Sequence, residues 1–337
     1  MVKVLILGGA GFLGYHLGSY LARQPGYRIT IVDNLSRGQI DVDLKEFLSQ
    51  SPMVEMVMGD LTDPEIWGRT GGPFDHVYLL AGIVGVRRVE TQPAGVIRTN
   101  VAIILNTLEW LARVGCGRIL FASTSETYSG AVELGVVSVP TREDVPLAVL
   151  DIKNPRSTYA VTKILGETAA IHYAQSYGFE GVIVRYHNIY GPRMGFDHVV
   201  PELMERIWRQ VDPLPVYGLE QTRAFCYVAD AVRASRALME CHLDRCETVN
   251  IGNDQEEIII KDLLEKLLDL INFHPAIDSL PAPAGAVSRR CPNLDKLRSL
   301  TGFYPQVNVD SGLVQTWDWY RQHLGEKESS LQIDSTS

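Results

Sequence analysis

"VKVLILGGAGFLG", residues 2–14, opens the chain and decides how the rest of it is read. Val2–Leu7 is a short apolar run; Gly8, Gly11 and Gly14 come next, and a helical pattern runs from Phe12 to Arg23. A strand that ends in glycines and turns at once into a helix brings backbone N–H groups to where they can cradle a pyrophosphate. Glycines occur in many strand–helix turns, so the triplet takes its meaning from its surroundings. A second strand, 28–32, closes in "DNLSRG", and Asp33 there stands about 20 residues on, where a carboxylate binds adenosine ribose hydroxyls. Asp33 would repel a 2′-phosphate, which favours NAD over NADP. Arg37 is the one residue that could reverse that preference, although its plain reading is a solvated loop charge.

The same alternation continues outward. "VEMVMGD" (54–60), "HVYLLAG" (76–82), "RILFAST" (118–124) and "GVIVRYHN" (181–188) read as strands, with helical segments around 96–114 and 157–177. Strands apolar on both faces, alternating with helices, predict an α/β fold: a Rossmann-type doubly wound parallel sheet covered on both sides. This domain is expected over 1–186, with 226–252 contributing to it, since "TVNIG" at 248–252 looks like one more buried strand. After Asn188 the texture changes to Pro/Gly-rich loops with helices near 201–211 and 261–272. That predicts a smaller, discontinuous α+β substrate-binding lobe over 187–324, laid across the carboxyl edge of the sheet. The polar tail, 325–337, is expected to lack order.

Bulk properties narrow the function. A net charge of −9 over 337 residues, spread rather than blocked, argues against nucleic acid or a membrane surface as partner. No apolar run reaches the length of a membrane span, and the N-terminal one is too short for a signal peptide. Five scattered cysteines, odd in number, read as the reduced thiols of a cytoplasmic protein. Eight histidines without metal-ligand spacing give no reason to expect a metal.

Two stretches carry chemistry. "STYAVTK", 157–163, puts Tyr159 and Lys163 four apart on one helix face. "FASTSETYSG", 121–130, leaves an apolar strand through hydroxyls and one carboxylate. To oxidise an alcohol with a bound nicotinamide, a base must take the hydroxyl proton as hydride leaves for the cofactor. Free tyrosine, with a pKa near ~10, is a poor base at neutral pH. An ammonium at Lys163 and a cationic nicotinamide would both favour the phenolate. Thr124, at the strand's end, can share a hydrogen bond to the same substrate oxygen. By the resemblance of GxxGxxG, Thr124, Tyr159 and Lys163 to the NAD-dependent nucleotide-sugar epimerases, dehydratases and decarboxylases, Glu126 would bear on the fate of a sugar once its C4 is a ketone. Epimerisation needs only hydride return to the other face. Dehydration needs a base at C5 and an acid at C6, and decarboxylation needs C5 reprotonated. A carboxylate at 126 therefore points to C5/C6 chemistry.

The spacing GxxGxxG, together with Thr124, Tyr159 and Lys163, resembles the extended short-chain dehydrogenase/reductases: the NAD-dependent nucleotide-sugar epimerases, dehydratases and decarboxylases. The resemblance runs to about residue 322 and implies a C4-oxidising enzyme with a nucleotide-sugar substrate. It implies that Thr124, Tyr159 and Lys163 are the catalytic triad. It implies that Gly8, Gly11, Phe12, Leu13, Gly14, Asp33 and Asn34 hold the cofactor, and that Asp60 and Leu61 flank its adenine. Ala81, Gly82 and Asn100 would line the path to the nicotinamide, with Ser123 and Tyr186 beside it. Ser125 would face the substrate, Asn188 its diphosphate, and Arg223 its phosphate or ribose. "STSE" is shared with UDP-glucuronate decarboxylases and GDP-mannose 4,6-dehydratases. "YGPRM" (190–194), "TRAFCYVAD" (222–230) and "SRRCPN" (288–293) are similar to the decarboxylases, whose late arginine faces the sugar carboxylate; Arg290 matches it. A bidentate guanidinium suits that group.

The resemblance has departures. Ser129 stands where those decarboxylases continue with glycine, His187 where an aromatic is usual, and "RYHNIYGP" is closer to some GDP-sugar epimerases. The expectation is thus a UDP-glucuronate decarboxylase-like reaction, with 4,6-dehydration and 4-epimerisation as alternatives. A catalytically silent NAD-sensing protein is the alternative from another class. Helices 96–114 and 157–177 resemble those of the family's homodimer interface.

Overall fold

Val4 and Ile6 face one side of their strand, Leu5 and Leu7 the other, and all four are fully buried. That is the signature of a strand with cover on both faces. The structure, a computed structural model, describes residues 1–37, 40–283 and 285–334, the segment 325–334 by backbone alone. Six strands are β1 (Val2–Leu7), β2 (Tyr27–Asp33), β3 (Val54–Met58), β4 (Phe74–Leu79), β5 (Cys116–Thr124) and β6 (Glu180–Tyr186). With the strand Cys246–Ile251 they form a seven-stranded sheet. From one edge the order is Cys246–Ile251, β6, β5, β4, β1, β2, β3, and every pairing is parallel. The strand order reverses between β1 and β4, which opens a crevice at their carboxyl ends.

Each face has its own core. One packs Leu5, Leu7, Val77, Ile119 and Ile183 against the helices Pro93–Val114 and Ser157–Tyr177, through Ile104, Leu108, Ala170 and Ala174. The other packs Val4, Ile6, Leu120, Val182 and Val249 and continues without a break into the C-terminal lobe, through Leu203, Leu263, Trp317 and Tyr320. The lobe adds three small sheets and the helices Val199–Trp208, Ile260–Ile271 and Val309–Asp334.

The tail departs from expectation. The last helix runs to Asp334, through most of the segment read as lacking order, while 335–337 lie outside the described residues. Glu, Lys, Leu and Gln are good helix formers, and extending an existing helix carries none of the cost of nucleating one.

Candidate active site

Gly8 leaves β1 at φ +85, and a Cβ there would fall 2.8 Å from the Ala81 backbone, so only glycine makes this turn. The helix Phe12–Ala22 starts at Gly11 with no side-chain cap and no acidic residue in its first turn. Its first N–H groups remain available to an anion. The Asp33 carboxylate accepts from Ala10 N (3.0 Å) and Leu35 N (2.8 Å), which ties the end of β2 to the glycine turn. Asp60 accepts from Thr62 and from the Asn34 amide at 3.0 Å. Burial opposes the Asp60 charge, but those bonds outweigh it and hold the carboxyl below its usual range. These residues, with Phe12, Leu13, Leu61, Ala81 and Gly82, line one end of a cavity of about 1330 Å³. Glycine cradle, open helix terminus and ribose-side acid together fit a dinucleotide.

The other end of the same cavity holds Ser123, Thr124, Ser125, Glu126, Tyr159, Lys163, Tyr186, Asn188 and Arg290. The helix Ser157–Tyr177 lies close on β5 because Gly166 faces Phe121; a Cβ there would fall 2.3 Å from the ring. That approach lets Lys163 Nζ donate to Ala122 O at 2.8 Å. Thr124 ends β5, and its Oγ1 accepts from Glu126 N at 3.2 Å, starting the short turn Ser125–Tyr128 that returns Glu126 to the cavity wall. There Arg290 NH1 donates to Glu126 Oε1 at 2.8 Å, Arg290 NH2 to Ser129 Oγ at 3.2 Å, and Ser129 Oγ to Glu126 Oε2 at 3.2 Å.

A family model described as the NAD dependent epimerase/dehydratase family matches residues 4–252. The chain belongs to that family. Its relatives include a UDP-N-acetyl-alpha-D-glucosaminuronate decarboxylase of Bacillus cytotoxicus, 33% identical over 330 residues, covering 95% of this chain and 98% of the relative. UDP-glucuronic acid decarboxylase 5 of Arabidopsis thaliana is 32% identical over 329 residues, covering 96% and 91%. Among solved structures, the UDP-glucose 4-epimerase of Thermotoga maritima with UDP-glucose superposes with a TM-score of 0.82 at 28% identity, covering 96% of this chain and 99% of that one. The UDP-glucuronic acid 4-epimerase of Bacillus cereus, in complex with UDP-4-deoxy-4-fluoro-glucuronic acid and NAD, gives 0.84 at 25%, covering 95% and 99%. The chain is thus an enzyme of an NAD-dependent, nucleotide-sugar-modifying family.

Within that family's chemistry, the electrostatics of this site refine the sequence expectation. Burial pushes the Tyr159 phenol well above its usual range, and Glu126 raises it further. What lowers it is the Arg37 charge and a hydrogen bond with Thr124. Lys163 was expected to do this work. Its Nζ instead donates to Ala122 O, and burial lowers its own pKa to about 8, against the pull of Glu167. The protein alone therefore keeps Tyr159 protonated at neutral pH. NAD, when bound in its oxidised form, supplies both the missing positive charge and the hydride acceptor.

Two expected site residues stand back from the cavity. Asn100 is buried behind the wall, its Oδ1 accepting from Ile83 N (2.7 Å) and its Nδ2 donating to Ile83 O (3.1 Å), so it pins the loop after Gly82 rather than lining it. Arg223 is spent on the carbonyls of Thr222, Ser288 and Val287 and on Gln221. It does not line the cavity; burial, then the neighbouring Arg290, lowers its pKa to about 10. His187 is buried with Nε2 against Asn250 Oδ1 at 3.1 Å, and burial lowers its pKa to about 3.

Other residues were not foreseen. Trp319 and His323, stacked at 3.9 Å on the last helix, reach the cavity wall beside Arg193. Trp319 Nε1 bonds Asp43 at 2.7 Å and Arg193 NH2 bonds Asp41 at 2.6 Å, docking the lobe on the helix Val42–Gln50. Behind the site, Glu167 accepts from Arg185 NH2 (2.6 Å) and Nε (2.9 Å) and from Ser123 Oγ. Arg185 NH1 donates to Tyr128 OH at 2.8 Å, and Tyr128 OH to Asn250 Oδ1 at 2.9 Å. The spacing of Glu167, four residues after Lys163, was the one sequence signal for this network.

Proposed function

We propose that the protein is an NAD-dependent decarboxylase of a UDP-linked uronic acid, UDP-glucuronate or its 2-acetamido counterpart, acting through transient oxidation at C4. The observation that carries the reading is the Glu126–Arg290 pair on the wall that also holds Thr124 and Tyr159. A guanidinium suits a C6 carboxylate, and a carboxyl beside it suits proton return to C5. Similarity along nearly the whole chain to decarboxylases of both uronic acids supports the same reading.

In this reading Tyr159, with Thr124 sharing the substrate oxygen, removes the C4 hydroxyl proton. Lys163 holds the tyrosine helix to β5 through Ala122. The 4-ketone makes the C6 carboxylate a β-keto acid, which loses carbon dioxide readily. Asn188, on the wall at φ 42, serves the diphosphate, while Arg223, paired in register with Arg290, acts on that arginine and through it on the uronate. The protein works as a homodimer in the cytoplasm. Ile97, Val161 and Leu165, each more than 40% exposed on the helices Pro93–Val114 and Ser157–Tyr177, supply an apolar face for the dimer. Among the described residues no helix is long and apolar enough to cross a membrane.

The test is to incubate the NAD-loaded protein with UDP-, GDP-, dTDP- and CDP-sugars, acidic and neutral, and to follow product mass. Loss of carbon dioxide from a UDP-uronate alone is expected. Loss of water would make it a dehydratase, and inversion at unchanged mass an epimerase. Sedimentation velocity tests the dimer.

A further inference from the structure

The triangle of Glu126, Ser129 and Arg290 leaves an inconsistency. Both terminal nitrogens of Arg290 are committed inside the protein, NH1 to Glu126 and NH2 to Ser129. A substrate carboxylate held by both terminal nitrogens needs those same donors. Resting on the uronate reading above, we infer that Glu126 and the substrate's carboxylate compete for Arg290, and that displaced Glu126 takes up the proton the reaction later consumes.

Geometry and charge agree on the direction. In the free protein burial disfavours the Glu126 charge, but Arg290 next to it, Arg156, and the Ser129 hydroxyl outweigh this and hold the carboxyl below its ordinary range. The other charged or titratable groups facing it are Arg223, whose guanidinium is occupied by neutral acceptors, and Tyr159, protonated in the protein alone; a phenolate formed there with NAD bound would add to the repulsion. Replacing the Arg290 bond by a rival carboxylate removes the largest attraction and adds a like charge. Both changes favour the protonated acid. The Glu126–Arg290 pair can yield because it is only partly buried, the carboxylate side chain being 37% exposed.

The proton balance then closes within the site. Decarboxylation of a carboxylate consumes one proton overall. After C4 oxidation, the C5–C6 bond breaks and its electron pair forms the C4 enolate, while C6 leaves as carbon dioxide. The Glu126 O–H proton passes to C5, and the enolate returns to the ketone. With its rival gone, the Glu126 carboxylate pairs again with Arg290. Ser129, where the resembling decarboxylases have glycine, steadies the resting state by bonding both partners.

The test uses NAD-loaded protein and ligands that cannot be oxidised at C4: UDP-4-deoxy-4-fluoroglucuronic acid and its neutral counterpart, UDP-4-deoxy-4-fluoroglucose. Titration calorimetry at about pH 6, above the ordinary carboxylate range, in buffers of different ionisation heat counts protons taken up on binding. Uptake approaching one proton per site is expected for the uronate and none for the neutral sugar. Glu126→Gln should abolish the uptake while still binding the uronate. Ser129→Ala should tighten uronate binding about 2–5-fold, as the loss of one modest hydrogen bond allows, and leave the neutral sugar unchanged. Preference for the uronate without proton uptake would overturn the exchange but leave the decarboxylase reading standing. Equal binding of the two ligands would overturn both. Uronate binding that is unchanged or weaker in Ser129→Ala would remove Ser129 from the device.

Discussion

Two glutamate–arginine pairs lie within a few residues of the same strand end, and they do opposite things. Glu167–Arg185 has both side chains 6% exposed, two N–H···O bonds, and outer partners in Ser123 and Tyr128. Burial opposes the Arg185 charge, but Glu167 and Tyr128 more than compensate and raise its pKa. Glu126–Arg290 uses similar atoms at a similar distance, but stands on a cavity wall, and its outside side-chain bonds are two long ones to the single Ser129 hydroxyl. The first pair has nowhere to go and braces the catalytic helix against β5 and β6. The second faces the cavity, where the proposed uronate carboxylate would be its alternative partner. Chemical identity does not separate brace from tool; burial and the number of outside bonds do.

Substituting each acid by its amide breaks the comparison most directly. Glu126→Gln is expected to lower carbon dioxide release by about 10²–10⁴-fold, the range for a lost acid–base group. Its unfolding free energy in urea should stay within about 1 kcal/mol, because the amide oxygen of glutamine can still accept from the partly buried Arg290. Glu167→Gln should do the reverse, costing about 3–5 kcal/mol by leaving Arg185 buried and uncompensated. Turnover per folded molecule should fall less than about tenfold. If the second change proved harmless to stability, the contrast between the two pairs would collapse.

Lys163 sharpens the comparison, being a buried charge without a carboxylate bonded to it. Its folded pKa of about 8 lies below the ordinary value of 10.5, so the unfolded chain binds more protons between those values. Stability therefore rises with pH across that window, and the cost is present in full below it. Lys163→Met should lower turnover, by releasing the Tyr159 helix from Ala122, yet stabilise the protein by about 3 kcal/mol near neutrality, on the conversion of 1.36 kcal/mol per pKa unit. That gain should fade as pH climbs from about 8 to 10.5, which thermal melts at several pH values would reveal. The smallest effect belongs to an exposed pair. Arg209→Gln breaks Arg209–Glu205, 61% and 26% exposed, and should change unfolding free energy by less than about 0.5 kcal/mol.

The same physics decides how much was legible in the amino-acid order. Strands and catalytic helices were readable because their signals are local: apolar runs closed by glycine, and a tyrosine and lysine one helical turn apart. Thr124, Glu126, Tyr159 and Lys163 accordingly meet in one cavity. Arg290 could be placed only by resemblance, and its bond to Ser129 joins residues 161 apart, which no periodicity announces. Asn100 and Arg223 carry contacts that the sequence did not announce, for a related reason. A polar side chain near a site can as well be consumed by adjacent backbone carbonyls and amides, and sequence does not show which. Trp319 and His323 reach the wall from the last helix, far outside the segments that carry the motifs.

The core that runs unbroken from one face of the sheet into the lobe has a kinetic meaning. Swinging the lobe away as a rigid flap would cut through that shared core, an apolar exposure costing several kilocalories per mole. The cavity's irregular rim is formed by the segments 148–156 and 191–198, the second held to the body by Arg193 on Asp41. For the proposed reaction, which passes through a reactive ketone, a cavity closed by a shared core would favour completion over leakage.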